Sequence, residues 1–219
     1  MYASTVKDHH LNFQVSGMLW NRSLVMRDVE TGSLWGHILG RCMEGDLKGS
    51  ELSILPGVMT TWGDWLKRYP ETSVLDLDLD RTAIEYKHRI FENGREFVYG
   101  LKAGNQFKAY SFAYLEANPV VQESVGDLNI LVAFQADSGR AFVFSRRIED
   151  KVISFKTEFS SDGKLVDEET GSLWDPWQGK ALDGPLKNQT LEHLPGLVSF
   201  RSAWETFYPD SEYVEIEEE

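Results

Sequence analysis

Three of the five histidines are the residues best suited to metal chemistry. His9 and His10 follow Asp8, and His37 lies further along the chain. Imidazole is a ligand that suits copper and zinc. Adjacent side chains on a strand point to opposite faces, however, so His9 and His10 cannot easily bind one ion. We therefore expect two exposed strand histidines, and the sequence predicts no metal centre and no cofactor.

Three aspartates alternate with leucine in the segment LDLDLDRT, at Asp76, Asp78 and Asp80. On an extended strand these carboxylates would share one face. A calcium loop of the EF-hand type needs glycine at its sixth position and glutamate at its twelfth. This chain has Arg81 and Lys87 there, so we predict a solvated edge strand whose charges discourage aggregation.

The candidate nucleophiles are Ser33, Ser172 and the single cysteine, Cys42. The chain contains no G-x-S-x-G elbow, P-loop, H-E-x-x-H or G-x-G-x-x-G motif. A serine triad would require tertiary contacts that the sequence does not reveal. Cys42 has no identifiable activating neighbour and is expected to be a small buried residue. We therefore assign no catalytic residue.

The segment WDPWQGK has features of a carbohydrate-binding platform. It places Trp177 close to Asp175, Gln178 and Lys180, an aromatic ring beside polar groups. The alternative is a rigid proline turn with a partly buried ring, because large aromatic side chains usually serve in packing.

The charge balance excludes several classes of partner. Among 219 residues, 22 are Lys or Arg and 35 are Asp or Glu, a formal net charge of −13. Nucleic acid and anionic membranes both require a basic surface. No apolar run approaches the ~20 residues that span a bilayer. The chain is long enough for one large domain or two small lobes.

These residues must be positioned by an internally repeated fold. The hexapeptide ETGSLW occurs at Glu30–Trp35 and again at Glu169–Trp174, an offset of 169 − 30 = 139. With this offset, residues 28–70 match residues 167–209 without a gap. The identical positions are turn formers and large apolar residues, which a shared supersecondary unit would preserve.

Each copy begins with a hairpin pattern. Two β-rich runs flank a D-x-E-T-G turn, in which the aspartate can accept hydrogen bonds and the glycine can take a positive φ. We predict that Asp28, Thr31, Asp167 and Thr170 are structural, with side chains bonded within their own turns.

Each copy ends with a helical pattern. In the first, Trp62, Trp65, Leu66 and Tyr69 have the i, i+3, i+4, i+7 spacing of one apolar face. Thr60 or Thr61 is the expected N-cap of this helix. In the second copy the expected N-cap is Ser199.

The segment between the copies is rich in strand patterns. Two strands are predicted around the KAGNQ turn, then a short helix at SFAYLEANP. A buried strand, a turn at residues 137–139 and another strand follow, and residues 151–159 alternate like a further strand.

The start of the chain has a weaker counterpart in the second copy. Asp8 aligns with Asp150 and Phe13 with Phe155, at an offset of 142, so the first copy carries three extra residues before its hairpin turn. Nothing in the first copy matches residues 96–142. We expect residues 1–8 to form a strand that lacks one neighbour, as in a chain truncated at its front.

Long stretches of the sequence resemble the bacterial and archaeal proteins called domain of unknown function 3179. The resemblance rests on FQVSGMLWNRSLVMRDVETGSLW, LPGVMTTWGDWLKRYPETSVL, KAYSFAYL and DEETGSLWDPWQGKALDGPLKNQTLEHLPG, and covers nearly the whole chain. Relatives carry a Cys-Pro-Leu-Cys or Cys-Pro-Leu-Thr element that would precede Met1. The equivalent stretch in the second copy, at residues 135–137, has no cysteine. The resemblance implies an extracytoplasmic location and brings no established activity.

We predict an α+β fold dominated by strands, with two pseudo-symmetric units. Each unit has a D-x-E-T-G-S-L-W hairpin and a short C-terminal helix. The first unit is residues 1–94, with its front part missing, and the second is residues 95–219, closely packed against the first.

We expect a non-catalytic, extracytoplasmic binding protein with its site between the two units. Its partner would be a small molecule or a glycan and not nucleic acid. The alternative is an enzyme or a metal-handling protein whose reactive cysteines lie upstream of Met1.

Ligand-binding residues are expected where the two copies differ, because duplication preserves the fold and divergence permits one asymmetric site. The differing polar or aromatic residues near the motifs are His37, Arg41, Trp62, Trp177, Lys180 and Arg201. The alternative is that these six are unrelated surface residues.

Overall fold

Strands make up most of the regular structure in the computed structural model, which describes residues 1–75 and 96–216. We call residues 1–75 the N-terminal part and residues 96–216 the C-terminal part. In the N-terminal part the strands are β1 (Thr5–Val6), β2 (His9–His10), β3 (Phe13–Trp20), β4 (Ser23–Asp28), β5 (Leu34–Gly36) and β6 (Arg41–Glu44). In the C-terminal part they begin with β7 (Phe97–Ala103), β8 (Gln106–Ser111), β9 (Val120–Val125), β10 (Leu128–Gln135), β11 (Arg140–Ser145), β12 (Arg147–Ile148) and β13 (Lys151–Val152). They continue with β14 (Leu165–Val166), β15 (Leu173–Asp175), β16 (Lys180–Asp183), β17 (His193–Leu194), β18 (Gly196–Phe200) and β19 (Glu212–Val214). The helices are α1 (Trp62–Arg68), α2 (Phe112–Ala117) and α3 (Arg201–Phe207), with a 3-10 turn at Ala136–Ser138.

The N-terminal part folds around one antiparallel sheet, in the order β3-β4-β5-β6. The turn between β4 and β5 is held by the fully buried Asp28. One oxygen of its carboxylate accepts the backbone N–H of Thr31 at 2.6 Å, and the other accepts the indole N–H of Trp35 at 2.8 Å. Trp35 is itself fully buried, in a small core with Leu11, Cys42 and neighbouring apolar residues. A buried charge is tolerated here because hydrogen-bond donors surround it.

The C-terminal part contains a second turn with the same bonds, in the sheet β14-β15-β16. The buried carboxylate of Asp167 accepts the backbone N–H of Thr170 at 2.7 Å and the indole N–H of Trp174 at 3.0 Å. The aspartate and threonine side chains of both turns are thus bonded within their own turns, as predicted.

The rest of the C-terminal part consists of two four-stranded sheets packed face to face. Their orders are β18-β7-β8-β19 and β17-β11-β10-β9. Residues that alternate along β7 and β10 fill the space between them, for example Tyr99, Leu101, Ile130 and Val132. The predicted strand pair around the KAGNQ turn and the short helix after it are present as β7, β8 and α2.

The two terminal helices are matched in sequence but not in burial. Trp204 of α3 is 2% exposed and packs against Val98 and Ala109 on the outer face of the β7–β8 pair. The corresponding Trp65 of α1 is half-buried, and α1 has no fully buried residue. The indole N–H of Trp65 donates to the hydroxyl of Thr72 at 3.0 Å, and that of Trp204 donates to the hydroxyl of Ser211 at 2.8 Å. In both cases the acceptor lies seven residues after the tryptophan.

One predicted helix cap is correct and one is wrong. Thr61 caps α1, since its hydroxyl accepts the backbone N–H of Asp64 at 3.3 Å. Ser199 does not cap α3, which begins after Phe200 without a side-chain cap. Ser199 is instead paired with Val98 within the β18–β7 ladder. It lies one residue before Phe200, which occupies the N-cap position of α3.

Helix α1 and the residue that follows α3 each contact the other part of the chain. On α1, Asp64 pairs with Arg140 and Arg68 pairs with Asp175, the latter at 2.5 Å. Just beyond α3, the phenol of Tyr208 donates to the carbonyl oxygen of Ile38 at 3.1 Å. These two ion pairs and this hydrogen bond thus join the N- and C-terminal parts.

Two short regions differ from the predicted strands. Residues 1–8 form an isolated bridge between Tyr2 and Ile54 and then a tight β1–β2 hairpin, with Lys7 at φ 51°. A positive φ lies outside the β region, and the chain turns at Lys7. Residues 151–159 contain only β13 and an isolated bridge between Phe155 and Asp167. Glu149, at φ 53°, lies in the turn of the matching β12–β13 hairpin. The predictions for Asp76, Asp78 and Asp80 and for the boundary at residues 94 and 95 fall outside the described residues.

Candidate ligand-binding cleft

A cleft of about 860 Å³ separates the tip of the β3–β4 hairpin from the start of α3. We call it the His37 cleft. Its N-terminal wall comprises Asn21, Arg22, Ser23, Leu24, His37 and Ile38. Its C-terminal wall comprises Val198, Ser199, Phe200, Ser202, Ala203 and Thr206. The volume lies in the range of small-molecule sites, which is about 300–1,000 Å³.

An irregularity in β3 shapes the first wall. The pairing of β3 with β4 shifts between Val15 and Leu19, so that two extra residues bulge from β3. Gly17 takes φ +81° in this bulge, a conformation that L side chains rarely adopt, and the hydroxyl of Ser16 donates to the β4 carbonyl of Val25 at 2.6 Å. Bulges bend a strand and re-aim its side chains.

The bulge brings the end of β3 against α3. The Trp20 ring lies edge-on to Phe207 of α3, with 5.0 Å between ring centroids. The next two residues, Asn21 and Arg22, form the two-residue hairpin turn with φ 46° and 64°. Positive φ at both positions is the geometry of the common tight hairpin turn. The ring contact thus fixes the hairpin tip over the cleft.

His37 lines the cleft, and both its backbone N–H and its backbone carbonyl are hydrogen-bonded. Its N–H donates to the carbonyl of Leu24 at 3.1 Å, and its carbonyl accepts the phenol of Tyr2 at 2.7 Å. Partial burial and, secondarily, the N-terminal ammonium group lower the pKa of the His37 imidazole below its usual range. The ring is therefore neutral at pH 7, with one donor and one acceptor nitrogen.

The second wall is set by the β18 ladder. Ser199 is buried, whereas the side chain of Phe200 is 56% exposed. The ring of Phe200 lies 4.7 Å from that of Phe97 between centroids, so the β7 residue supports it. The result is a rigid apolar surface beside several hydroxyl groups.

A second cleft of about 600 Å³ lies on the other side of Tyr208 and includes Arg41. Its charged residues are Arg41, Glu51, Lys102 and Asp210. Glu51 and Lys102 approach within 3.8 Å, so part of this charge is already compensated.

The other four predicted site residues lie elsewhere. Trp62 is 49% exposed at the first position of α1. The Trp177 ring contacts Trp65, Tyr69 and Phe142 and lies 4.2 Å from the guanidinium of Arg140, so it is packed on several sides.

Lys180 is exposed on β16 and Arg201 belongs to an ion-pair group. Lys180 forms an isolated bridge with Thr190. The Arg201 guanidinium pairs with Glu205 at 2.7 Å and with Glu215 at 2.9 Å. Of the six residues, His37 lines one cleft and Arg41 the other, and the structure does not gather them into one pocket.

The histidines at the start of the chain do not join His37. His9 and His10 are both exposed on β2, where they face Val6 and Thr5 across the tight hairpin. Within residues 1–75 and 96–216, no three histidine, cysteine or acidic side chains are arranged to hold a metal ion.

Most residues that line the His37 cleft are not among the six predicted ligand-binding residues. A comparison of aligned positions near the motifs does not identify Asn21, Arg22, Ser199, Phe200 or Thr206. A usable signal existed. Phe13 precedes the turn residue Asp28 by 28 − 13 = 15 residues, whereas Phe155 precedes the matching Asp167 by 167 − 155 = 12 residues. Two of these extra residues form the bulge in β3.

Comparison with known proteins gives a family and no activity. The family model described as "Protein of unknown function (DUF3179)" matches residues 1–89 and 85–218. Neither the curated proteins nor the solved structures contain a match. Among the described residues, no helix has the length and apolar character needed to cross a membrane.

Proposed function

We propose that this chain, which belongs to the DUF3179 family of proteins of unknown function, is a binding protein that takes a small ligand in the His37 cleft. The cleft lies between two related units, each built from a hairpin, a glycine-containing connection and a helix. The ligand would contact both units at once and so would stabilise their packing.

Matching hydrogen bonds support the idea of two related units. The backbone N–H of Leu52 donates to Gly40, and that of Leu191 donates to Gly179, both at 2.8 Å. The carboxylates of Asp28 and Asp167 each accept the backbone N–H of a threonine three residues later and the indole N–H of a tryptophan seven residues later. These positions are all related by the sequence offset of 139 residues.

The observation that carries the proposal is that one wall of the cleft is formed by the β3–β4 hairpin, whose bulge distinguishes it from the hairpin of the second unit. The β3 bulge has no counterpart in the second unit, whose shorter hairpin is closed by bonds between Ser160 and Lys164. At the position matching Ile38 the second unit has Trp177, whose ring is packed against aromatic neighbours. In the first unit Ile38 lines an open cleft, whereas in the second unit the matching Trp177 is packed against other rings. This difference agrees with a single asymmetric site.

The composition of the cleft also favours binding over structural packing. Ligand sites combine apolar surface with a few polar groups that set orientation. Here Leu24, Val198 and Phe200 supply apolar surface, while Ser199 and His37 supply polar groups. Among the described residues, no Asp or Glu side chain lines the cleft.

A thermal-shift screen tests this proposal with two variants. Ser202→Trp places an indole in the cleft, since Ser202 is exposed and lines it. Gly63→Trp is the matched control, at the corresponding position of α1, where nothing lies within 4 Å of an added Cβ. A ligand at a hundredfold excess over Kd stabilises by about 2.7 kcal/mol, which raises Tm by about 5–10 °C in a protein of this size.

We expect compounds that raise Tm of the wild type and of Gly63→Trp but not of Ser202→Trp. If every shift survives in Ser202→Trp, or if no compound in a broad screen shifts the wild type, the proposal is wrong.

A further inference from the structure

The polar groups in the His37 cleft are mainly hydroxyls. Ser23, Ser199, Ser202 and Thr206 each contribute one, and Asn21 contributes an amide. A hydroxyl can donate one hydrogen bond and accept two, and an amide can do both. This mixture suits a ligand that carries many donors and acceptors of its own.

Two of these hydroxyls already use their donor hydrogen within the protein. Ser199 donates to the carbonyl of Phe200 at 3.2 Å, and Thr206 donates to the carbonyl of Ser202 at 2.7 Å. Their oxygen lone pairs are left to accept from a ligand. The cleft therefore offers acceptors of fixed direction to ligand O–H or N–H groups.

The cleft carries little charge. Of its lining residues, all within the described part of the chain, Arg22 alone is charged at pH 7, since His37 is neutral. No carboxylate there would compensate a cationic ligand. The net charge of −13 disfavours the approach of an anion. The second cleft is different, with Arg41, Glu51 and Lys102 among its lining residues.

Phe200 supplies a flat apolar surface beside the hydroxyls. Its ring is 56% exposed and is supported by Phe97 beneath it. Sugar rings present C–H groups on one face and hydroxyls at their edges, so they match an aromatic face bordered by hydrogen-bonding groups.

We infer that the ligand of the His37 cleft is an uncharged carbohydrate, with one sugar ring on Phe200 and its hydroxyls bonded to Ser199, Ser202 and Thr206. The inference rests on the proposed function and adds the chemical class of the ligand to it. The Asn21–Arg22 hairpin tip would cover the ring from the opposite side.

The test uses isothermal titration of the full chain with a panel of uncharged trisaccharides made of glucose, N-acetylglucosamine, xylose or mannose. Phe200→Leu keeps the apolar bulk but removes the aromatic face, and Phe200→Tyr keeps that face. We expect at least one trisaccharide to bind. The leucine variant should raise its Kd about tenfold, the equivalent of an aromatic contact of about 1.4 kcal/mol, whereas the tyrosine variant should bind like the wild type.

The outcomes separate this inference from the proposed function. If no trisaccharide binds but other compounds give shifts that Ser202→Trp abolishes, the carbohydrate class is wrong and the cleft remains a binding site. If a trisaccharide binds equally to Ser202→Trp and to Phe200→Leu, its site lies elsewhere and the inference is overturned. If nothing at all binds in a way that Ser202→Trp abolishes, both the inference and the proposed function fail.

Discussion

Replacing Trp204 with alanine is expected to lower the free energy of unfolding by about 4 kcal/mol, as large-to-small changes at buried aromatic residues do. The indole packs tightly on the β7–β8 pair. A Cβ added at Gly100 would lie 2.1 Å from its ring, so the indole lies directly against the backbone of β7. Urea unfolding followed by circular dichroism measures the change.

Trp65→Ala is the matched control for this prediction. Both indoles donate a hydrogen bond to a hydroxyl of the residue seven positions later, so the two substitutions differ mainly in burial. Because Trp65 is partly exposed whereas Trp204 is 2% exposed, the loss of Trp65 should cost less than the loss of Trp204 on an area basis. Equal losses in the two variants would contradict the packing described for α3.

Asp167→Ala is expected to lower the free energy of unfolding by about 3 kcal/mol, because it leaves the buried indole N–H of Trp174 without an acceptor and removes the bonds that close the turn. Trp174 is fully buried, so water cannot replace the carboxylate without local opening. Glu168→Ala is the control, since Glu168 is exposed next to it. It should change the stability by less than about 0.5 kcal/mol.

The pH dependence of the same variant identifies the cause of the loss. Burial alone would raise the pKa of Asp167, but bonds from Trp174 and Thr170 outweigh it, and the pKa is lowered. A carboxylate with a lowered pKa stabilises the fold above its unfolded pKa of about 3.9, and this contribution is lost as the pH falls through the folded pKa. The difference between the wild type and Asp167→Ala should therefore shrink below about pH 4. A difference that stays constant down to pH 2 would contradict the role given to the ionised carboxylate.

Local patterns were enough to predict the strand-rich fold and several of its elements. The KAGNQ turn, the short helix after it and the bonds of Asp28 and Asp167 within their turns depend on neighbours in sequence. These features were predictable because turn chemistry and apolar periodicity act over a few residues.

The features that were missed depend on tertiary contacts or on single backbone angles. Ser199 looked like a helix cap, but the β7 strand takes up that residue in its ladder. Residues 1–8 looked extended, but Lys7 turns the chain with a positive φ. Neither the partner strand nor the left-handed residue has a distinct signal in the local sequence.

The candidate site was only partly predictable for the same reason. His37 was selected because it differs between the copies, and it does line a cleft between them. The other walls arise from the β3–β4 hairpin and from the start of α3, and Trp20 packs on Phe207 between these two elements. A comparison of aligned positions does not show that the β3–β4 hairpin of the first copy lies opposite helix α3 of the second copy.

Diffraction from crystals soaked with a library of small neutral and charged fragments shows whether the His37 cleft is a ligand site, because it locates ligands without assuming their class. We expect bound fragments to cluster in the His37 cleft, between the Asn21–Arg22 hairpin tip and Phe200, with hydrogen bonds to the serine and threonine hydroxyls. Fragments that bind reproducibly at other surfaces, while the His37 cleft stays free of them in crystals where it is open to solvent, would contradict this expectation.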